Sequence, residues 1–125
     1  MKEEIERWLK QAENDLDSSE ENIKIGKYYV SAFLSQQAVE KALKALYIQE
    51  KKELLKTHSV SRLAQEVKLP IELIKKISLL EPIYQESRYP DIASKIPSEE
   101  YEEKDASEVF NIAEEVIEWI RKKIK

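Results

Sequence analysis

The chain has 125 residues, 42% of them apolar and 37% charged, which fits a single domain large enough to bury a core. It has no cysteine and one histidine, which excludes disulfides, thiolate chemistry and a multi-histidine metal site within one chain. The net charge of −4 argues against a protein that coats nucleic acid, because such domains are usually strongly basic. No apolar run has the length of a signal peptide or a membrane span, so we expect a cytoplasmic protein without membrane contact.

Residues that break helices are scarce, since the chain holds one glycine and four prolines. Strands joined by hairpins need turn residues at short intervals, whereas long helices need few. We therefore predict an all-α protein, an up-and-down bundle of four to five helices with a long Pro-containing loop before the last helix. The bundle is expected to form one domain over residues 1–125. Abundant lysine, glutamate and isoleucine also resembles the composition of thermophile proteins.

Two long helices are predicted in the first half of the chain. Apolar residues recur every three or four positions from Lys2 to about Ile25, and Gly26 follows where a left-handed residue often ends a helix. The second helix, about Lys27 to Glu50, is apolar on more than one face, which predicts neighbours on several sides or a subunit contact. Its polar members, which lie either at a helix boundary or in a solvated stripe, are Gln36, Gln37, Glu40, Lys41 and Lys44.

Shorter helices are predicted in the second half. Thr57 or Ser59 could cap a third helix, and Pro70 suits the first turn of a fourth. The residues expected to face inward in that fourth helix are Ile71, Ile74, Ile77 and Leu80. Residues 81–104 hold three prolines and no sustained helical period, so most of this segment is expected to be extended. The last helix is predicted from Asp105, as its N-cap, to Lys123.

Five residues stand out as candidates for chemistry. His58 is the only side chain that ordinarily titrates near neutrality, so it could be a general acid or base, or instead cap or pack at a helix start. Arg62 lies one turn later, so the two side chains are either a pair that suits phosphate or an ordinary exposed pair. The long connection carries Arg88, Tyr89 and Asp91 in the segment SRYPD. An arginine can bind phosphate through two N–H groups and a tyrosine can stack on a base. Alternatively, Arg88 pairs with a carboxylate that holds the loop, and Tyr89 lies in the core.

Other patterns indicate no cofactor. With one glycine, the chain has neither of the glycine-rich loops that bind nucleoside triphosphates and dinucleotides. The acidic run from Glu99 to Glu103 could hold a divalent cation, but a solvated surface is the favoured interpretation. We therefore predict neither a metal nor a cofactor.

Four segments in this order resemble the HEPN domain family. They are Trp8–Leu16 (WLKQAENDL), Ala32–Leu46 (AFLSQQAVEKALKAL), His58 within KTHSV, and SRYPD at 87–91. The resemblance covers roughly residues 5 to 120. It implies a bundle of four or five helices, commonly a homodimer, that binds nucleotides or RNA. Many members are encoded beside a small nucleotidyltransferase in toxin–antitoxin pairs, so the resemblance implies such a partner protein.

A ribonuclease branch of the family carries Arg-x4-6-His, and that motif is absent here because the one histidine lies upstream of Arg88. The departure argues against metal-independent RNA cleavage, so we predict a binding module rather than an enzyme. The predicted nucleotide- or phosphate-binding residues are His58, Arg62, Arg88, Tyr89, Asp91, Lys41 and Lys44. Two alternatives stay open: a ribonuclease toxin with a rearranged site, and a purely structural helical dimerisation protein.

Overall fold

The computed structural model describes residues 1–93 and 95–125, and the side chains of all of these except residues 92 and 93. All the regular structure in these ranges is helical. The helices are α1 (Lys2–Lys24), α2 (Tyr28–Lys51), α3 (Val60–Glu66), α4 (Ile71–Ser78), α5 (Ile83–Glu86), α6 (Pro90–Ala93), α7 (Pro97–Glu100) and α8 (Glu103–Lys123). The predicted all-α bundle is therefore confirmed. None of these helices is long and apolar enough to cross a membrane.

The first two helices form an antiparallel pair joined by a tight turn. Gly26 has φ +77, a left-handed conformation that side chains with a Cβ rarely adopt, so glycine suits this turn. Where the helices cross, the buried Ser19 hydroxyl lies 2.9 Å from the Ser31 hydroxyl and 2.7 Å from that of Ser35. These small side chains allow the two backbones to approach closely. Both helices begin and end within a residue or two of the predicted positions.

Helix α2 is the centre of the bundle. It contacts α1 and α8 along its length and α3, α5 and α7 more locally. Because neighbours surround most of its length, its apolar residues from 38 to 48 are buried, among them Ala38, Val39, Ala42, Leu43 and Leu46. Packing within one chain therefore explains most of its broad apolar surface, while Val30, Phe33 and Leu34 near its start stay partly exposed. Among its polar residues Gln36, Glu40 and Lys44 are also buried, so the interpretation of these residues as a solvated stripe is wrong.

The predicted starts of the two short helices are confirmed, with one error in the second. The Ser59 hydroxyl caps α3 by accepting the backbone N–H of Arg62 at 3.1 Å, and Pro70 directly precedes α4. Ile71, expected inside, is 64% exposed. The buried face of α4 is centred on Leu73 and Ile77, and a residue two positions from Leu73 lies on the opposite side of the helix. Ile74 lies at the edge of this buried face and is only partly buried, whereas Leu80 is buried.

The connection before the last helix is predicted to be mainly extended, and that prediction is wrong. It contains α5, α6 and α7, each a single turn, while residue 94 within it lies outside the described residues. Pro82 immediately precedes α5, and Pro90 and Pro97 are the first residues of α6 and α7. Proline lacks an N–H that the first turn of a helix does not use, so these prolines begin short helices rather than prevent them.

Helix α8 begins earlier than predicted. Glu102, not Asp105, is its N-cap, and the Asp105 carboxylate accepts the backbone N–H of Glu102 at 2.9 Å. Asp105 is therefore the third residue of a capping box, a role that an acidic side chain also fills well. The buried residues of α8 are Ala106, Val109, Ile112, Ala113, Val116, Ile117 and Ile120.

Candidate functional site

A buried carboxylate on α2 is the centre of a polar network. The Glu40 side chain is 4% exposed, and its Oε1 accepts Gln36 Nε2 at 3.2 Å. Its Oε2 receives Lys44 Nζ at 2.9 Å and lies 3.2 Å from His58 Nδ1. Gln36, Glu40 and Lys44 are one turn apart on the helix, so their side chains share a face. A buried carboxylate is costly unless several donors surround it, and Glu40 has three.

The two lysines predicted to support a phosphate are both bound to carboxylates of their own chain. Lys44 is 8% exposed, and besides Glu40 it contacts the ring of Trp8, 5.3 Å from the centroid. Lys41 Nζ lies 2.5 Å from Asp15 Oδ2 on α1, and Gln11 donates to the other oxygen of Asp15. Their positions indicate structural roles between helices rather than exposed positive charges.

His58 lies directly before α3 and faces solvent on one side. Its ring stacks on Tyr84 of α5 with a centroid distance of 4.3 Å and an interplanar angle of 15°. The side chain remains 61% exposed, although its Nδ1 points to the buried Glu40. Ser59, and not His58, caps α3. The His58 ring is held by its contacts with Glu40 and Tyr84.

Arg88 follows α5 and lies among aromatic rings. Its guanidinium carbon is 5.2 Å from the centroid of Phe33, 4.9 Å from that of Tyr84 and 5.0 Å from that of Tyr89. Among the described residues, no ion pair involves Arg88. The alternative prediction, in which Arg88 pairs with a carboxylate that holds the loop, is therefore wrong for the described residues. Tyr89 is 43% exposed and is therefore not a core residue.

A groove opens beside Arg88. It has a volume of about 350 Å³ and is lined mainly by apolar and small side chains from α2 and from the connection: Tyr29, Val30, Phe33, Ser87, Arg88, Pro97 and Ser98. Among the lining residues, Ser87 is buried, and its hydroxyl donates a hydrogen bond to the Ile83 carbonyl at 2.6 Å. The groove gives a ligand that reaches Arg88 an apolar wall at Phe33.

The structure brings together only some of the predicted residues. His58 and Arg88 both contact Tyr84, and Tyr89 contacts Arg88, so these residues form one cluster. The side chains of Arg62 and Asp91 are exposed and make none of the contacts that define it. Sequence reasoning missed Phe33, Tyr84 and the role of Glu40. A signal was present for Tyr84, because it precedes Arg88 by four residues, a spacing that puts two helical side chains on one face.

A second, acidic groove of about 430 Å³ lies between α5, α7 and α8. Burial there, together with the nearby carboxylates of Glu86 and Asp105, raises the pKa of Tyr101 to about 12, so its phenol stays neutral in ordinary buffers. Within residues 1–93 and 95–125, no three acidic or histidine side chains are arranged to hold a metal ion.

The family model of the HEPN domain matches residues 5–123, nearly the whole chain. The chain belongs to the HEPN domain family. A relative in Methanocaldococcus jannaschii, named "Putative toxin MJ1304", is 35% identical over 94% of this chain and 86% of its own length. The match confirms the family that the four segments predicted.

Solved structures of HEPN proteins have the same fold. The archaeal HEPN homologue ST0689 is 37% identical, with a TM-score of 0.83 over 97% of this chain and 98% of that one. The protein TT1696 from Thermus thermophilus is 27% identical, with a TM-score of 0.88 over 95% and 97% of the two chains. A HEPN domain protein from Thermotoga maritima, also 27% identical, has a TM-score of 0.74 over 93% and 95%.

Proposed function

We propose that this HEPN chain is a nucleotide- or RNA-binding module whose ligand binds at Arg88, beside His58. The observation that carries the proposal is the position of the Arg88 guanidinium, exposed to solvent yet packed against the rings of Phe33, Tyr84 and Tyr89. An arginine held in this way has lost much of its rotamer freedom before a ligand arrives, which lowers the entropic cost of binding.

The chemistry of the cluster suits a phosphate next to a base. A ring that packs against the face of a guanidinium leaves the N–H groups at the edge available for two phosphate oxygens. The exposed part of Tyr89 and the apolar wall at Phe33 offer surfaces for a base, and stacking on an aromatic ring contributes roughly 1–3 kcal/mol per base. Lys41 and Lys44 are not among the residues that we propose to bind the ligand, because Asp15 and Glu40 already neutralise their charges.

Calorimetric titration with ATP, GTP and short single-stranded RNAs tests the proposal. We expect binding to the wild type that weakens at least tenfold in Arg88→Ala, since that variant loses the charge-assisted phosphate contact. Lys122→Ala is the matched control: it removes one exposed positive charge from the last turn of α8, beside α4, and should leave the affinity within twofold. Equal affinities of the wild type and Arg88→Ala for every ligand contradict the proposal.

We further propose that the module acts as a homodimer and as one half of a two-component, toxin–antitoxin-like system with a nucleotidyltransferase. The support is the family membership together with the relative whose name describes it as a toxin. The missing Arg-x4-6-His motif favours binding over cleavage, so the proposed role of this chain within the pair is non-catalytic. The alternative of a ribonuclease with a rearranged site predicts RNA cleavage that His58→Ala abolishes.

A further inference from the structure

Resting on the proposed function, we infer that His58 distinguishes ribonucleotides from deoxyribonucleotides and that the buried Glu40 sets it up to do so. Glu40 is a positioning residue that fixes the tautomer of the imidazole. His58 then presents the lone pair of Nε2 to solvent, where it accepts a hydrogen bond from a ribose 2′-hydroxyl.

The tautomer follows from the surroundings of Glu40. Its Oε2 is shared by the Lys44 ammonium at 2.9 Å and by His58 Nδ1 at 3.2 Å, and the carboxyl group is 4% exposed. An ionised carboxylate can only accept hydrogen bonds, so the hydrogen between Glu40 and His58 is carried by Nδ1. A neutral imidazole has one N–H, and with that hydrogen on Nδ1 the other nitrogen, Nε2, is an acceptor.

The position of the ring makes that acceptor available to a ligand. Tyr84 covers one face of the imidazole, with a centroid distance of 4.3 Å, while 61% of the His58 side chain stays exposed. The stacking and the contact with Glu40 together fix both the plane and the direction of the ring. Nε2 lies across the ring from the nitrogen that Glu40 holds, so it is directed away from the buried network.

The neighbour of His58 indicates which donor it meets. The Arg88 guanidinium carbon lies 4.9 Å from the centroid of the same Tyr84 ring on which His58 stacks. We place the adjoining sugar of a nucleotide whose phosphate binds Arg88 at the exposed edge of His58, because both side chains lie against the Tyr84 ring. The 2′-hydroxyl is a hydrogen-bond donor that deoxyribose lacks, and it is the group by which proteins tell RNA from DNA.

The tautomer can be measured without a ligand, because His58 is the only histidine of the chain and gives a single imidazole signal. We expect nitrogen–proton correlation spectra at about pH 8.5 to show the hydrogen on Nδ1 in the wild type. Glu40→Gln should shift the population towards Nε2–H, while Glu115→Gln, which changes an exposed carboxylate paired with Lys76, should not. A wild-type spectrum dominated by Nε2–H overturns the inference, even if Glu40→Gln fails to fold.

The sugar preference is measured by titrating matched single-stranded oligomers of ribose and of deoxyribose. One hydrogen bond contributes roughly 1 kcal/mol, so we expect the ribose oligomer to bind the wild type about fivefold more tightly. His58→Phe keeps a ring against Tyr84 but has no acceptor, and it should bind both oligomers equally while still depending on Arg88. The change is at an exposed side chain and leaves Glu40 its contacts with Gln36 and Lys44, so the fold is expected to tolerate it.

The possible outcomes separate the two proposals. Arg88-dependent binding with no sugar preference in the wild type, or a preference that survives in His58→Phe, rejects the role of His58 and leaves the proposed function standing. Failure of both oligomers and of all free nucleotides to bind rejects the proposed function, and the inference falls with it. A preference lost in both His58→Phe and folded Glu40→Gln supports the complete arrangement.

Discussion

Lys41 and Lys44 are one turn apart on α2, yet each is tied to a different part of the molecule. Lys41 pairs with Asp15 of α1, and Lys44 pairs with Glu40 of its own helix while contacting Trp8. Both side chains cover apolar surface with their stems and neutralise carboxylates with their ends, as partly buried lysines commonly do. At the residue scale, most of the positive charge on this face therefore stabilises the fold and is unavailable to a ligand.

A double-mutant cycle on Asp15→Ala and Lys41→Ala measures that stabilisation. We expect a coupling energy of about 1–2 kcal/mol from urea unfolding, between the values of fully exposed and fully buried pairs. The matched cycle on Lys76 and Glu115, whose side chains are 48% and 50% exposed, should give under about 1 kcal/mol. A coupling energy near zero for Asp15 and Lys41 contradicts the structural role, and a loss of nucleotide affinity in Lys41→Ala restores Lys41 to the binding site.

At the scale of elements, the start of α3 is attached to the turn between α4 and α5. The Ser59 hydroxyl caps α3 and also donates to Glu81 Oε1 at 3.1 Å, while the same oxygen accepts the N–H of Ser61 at 3.0 Å. Glu81 lies between α4 and α5, so these contacts attach the start of α3 to the connection that carries Tyr84. His58 directly precedes Ser59, and its position depends on this attachment.

Replacing Ser59 by alanine is expected to reduce the free energy of unfolding by about 1–2 kcal/mol, because both the cap and the contact with Glu81 are lost. Chemical denaturation followed by circular dichroism provides the measurement. Ser78→Ala is the control, since that exposed hydroxyl bonds only to a carbonyl of its own helix and should change stability by less than about 0.5 kcal/mol. Equal stability losses in the two variants would show that the Ser59 contacts do not form.

The elements with a clear apolar period could be predicted from the sequence, and those without one could not. Helices α1 and α2 are long, strongly patterned and separated by the only glycine, so their limits followed from local rules. Helices α5 to α7 are single turns of four residues each, too short to show a period. The error at α8 has a local cause too, because Asp is a favoured N-cap residue and Glu is not, whereas the structure has Glu102 at the N-cap and Asp105 three positions later.

The site could be predicted only in part, for a reason that belongs to the whole molecule. His58, Arg88 and Tyr89 were recognisable as unusual residues, but the stacking of His58 on Tyr84 joins distant parts of the chain and forms only when α3 and α5 are packed on α2. The burial of Glu40 likewise depends on neighbours that are distant in sequence. Conversely, the broad apolar surface of α2 suggested a subunit contact, but packing within the chain explains most of it and leaves only the first turns partly exposed.

The oligomeric state is the prediction that belongs to the whole molecule. We expect sedimentation at micromolar concentration to give about twice the monomer mass of 14.7 kDa, as the proposed homodimer requires. Co-expression with a nucleotidyltransferase encoded by a neighbouring gene should yield a complex that purifies together. A monomer at every concentration, with or without such a partner, contradicts the two-component proposal while leaving the Arg88 titration unaffected.

The contact of Trp8 with Lys44 has an optical consequence. The chain has two tryptophans, and Trp119 contacts Lys123 near the end of α8, away from the Glu40 network. Trp8 is joined to that network through the Lys44 ammonium, which binds the same carboxylate oxygen as His58. In a Trp119→Phe protein, we therefore expect the emission of the remaining indole to respond, without any attached label, to changes at the imidazole.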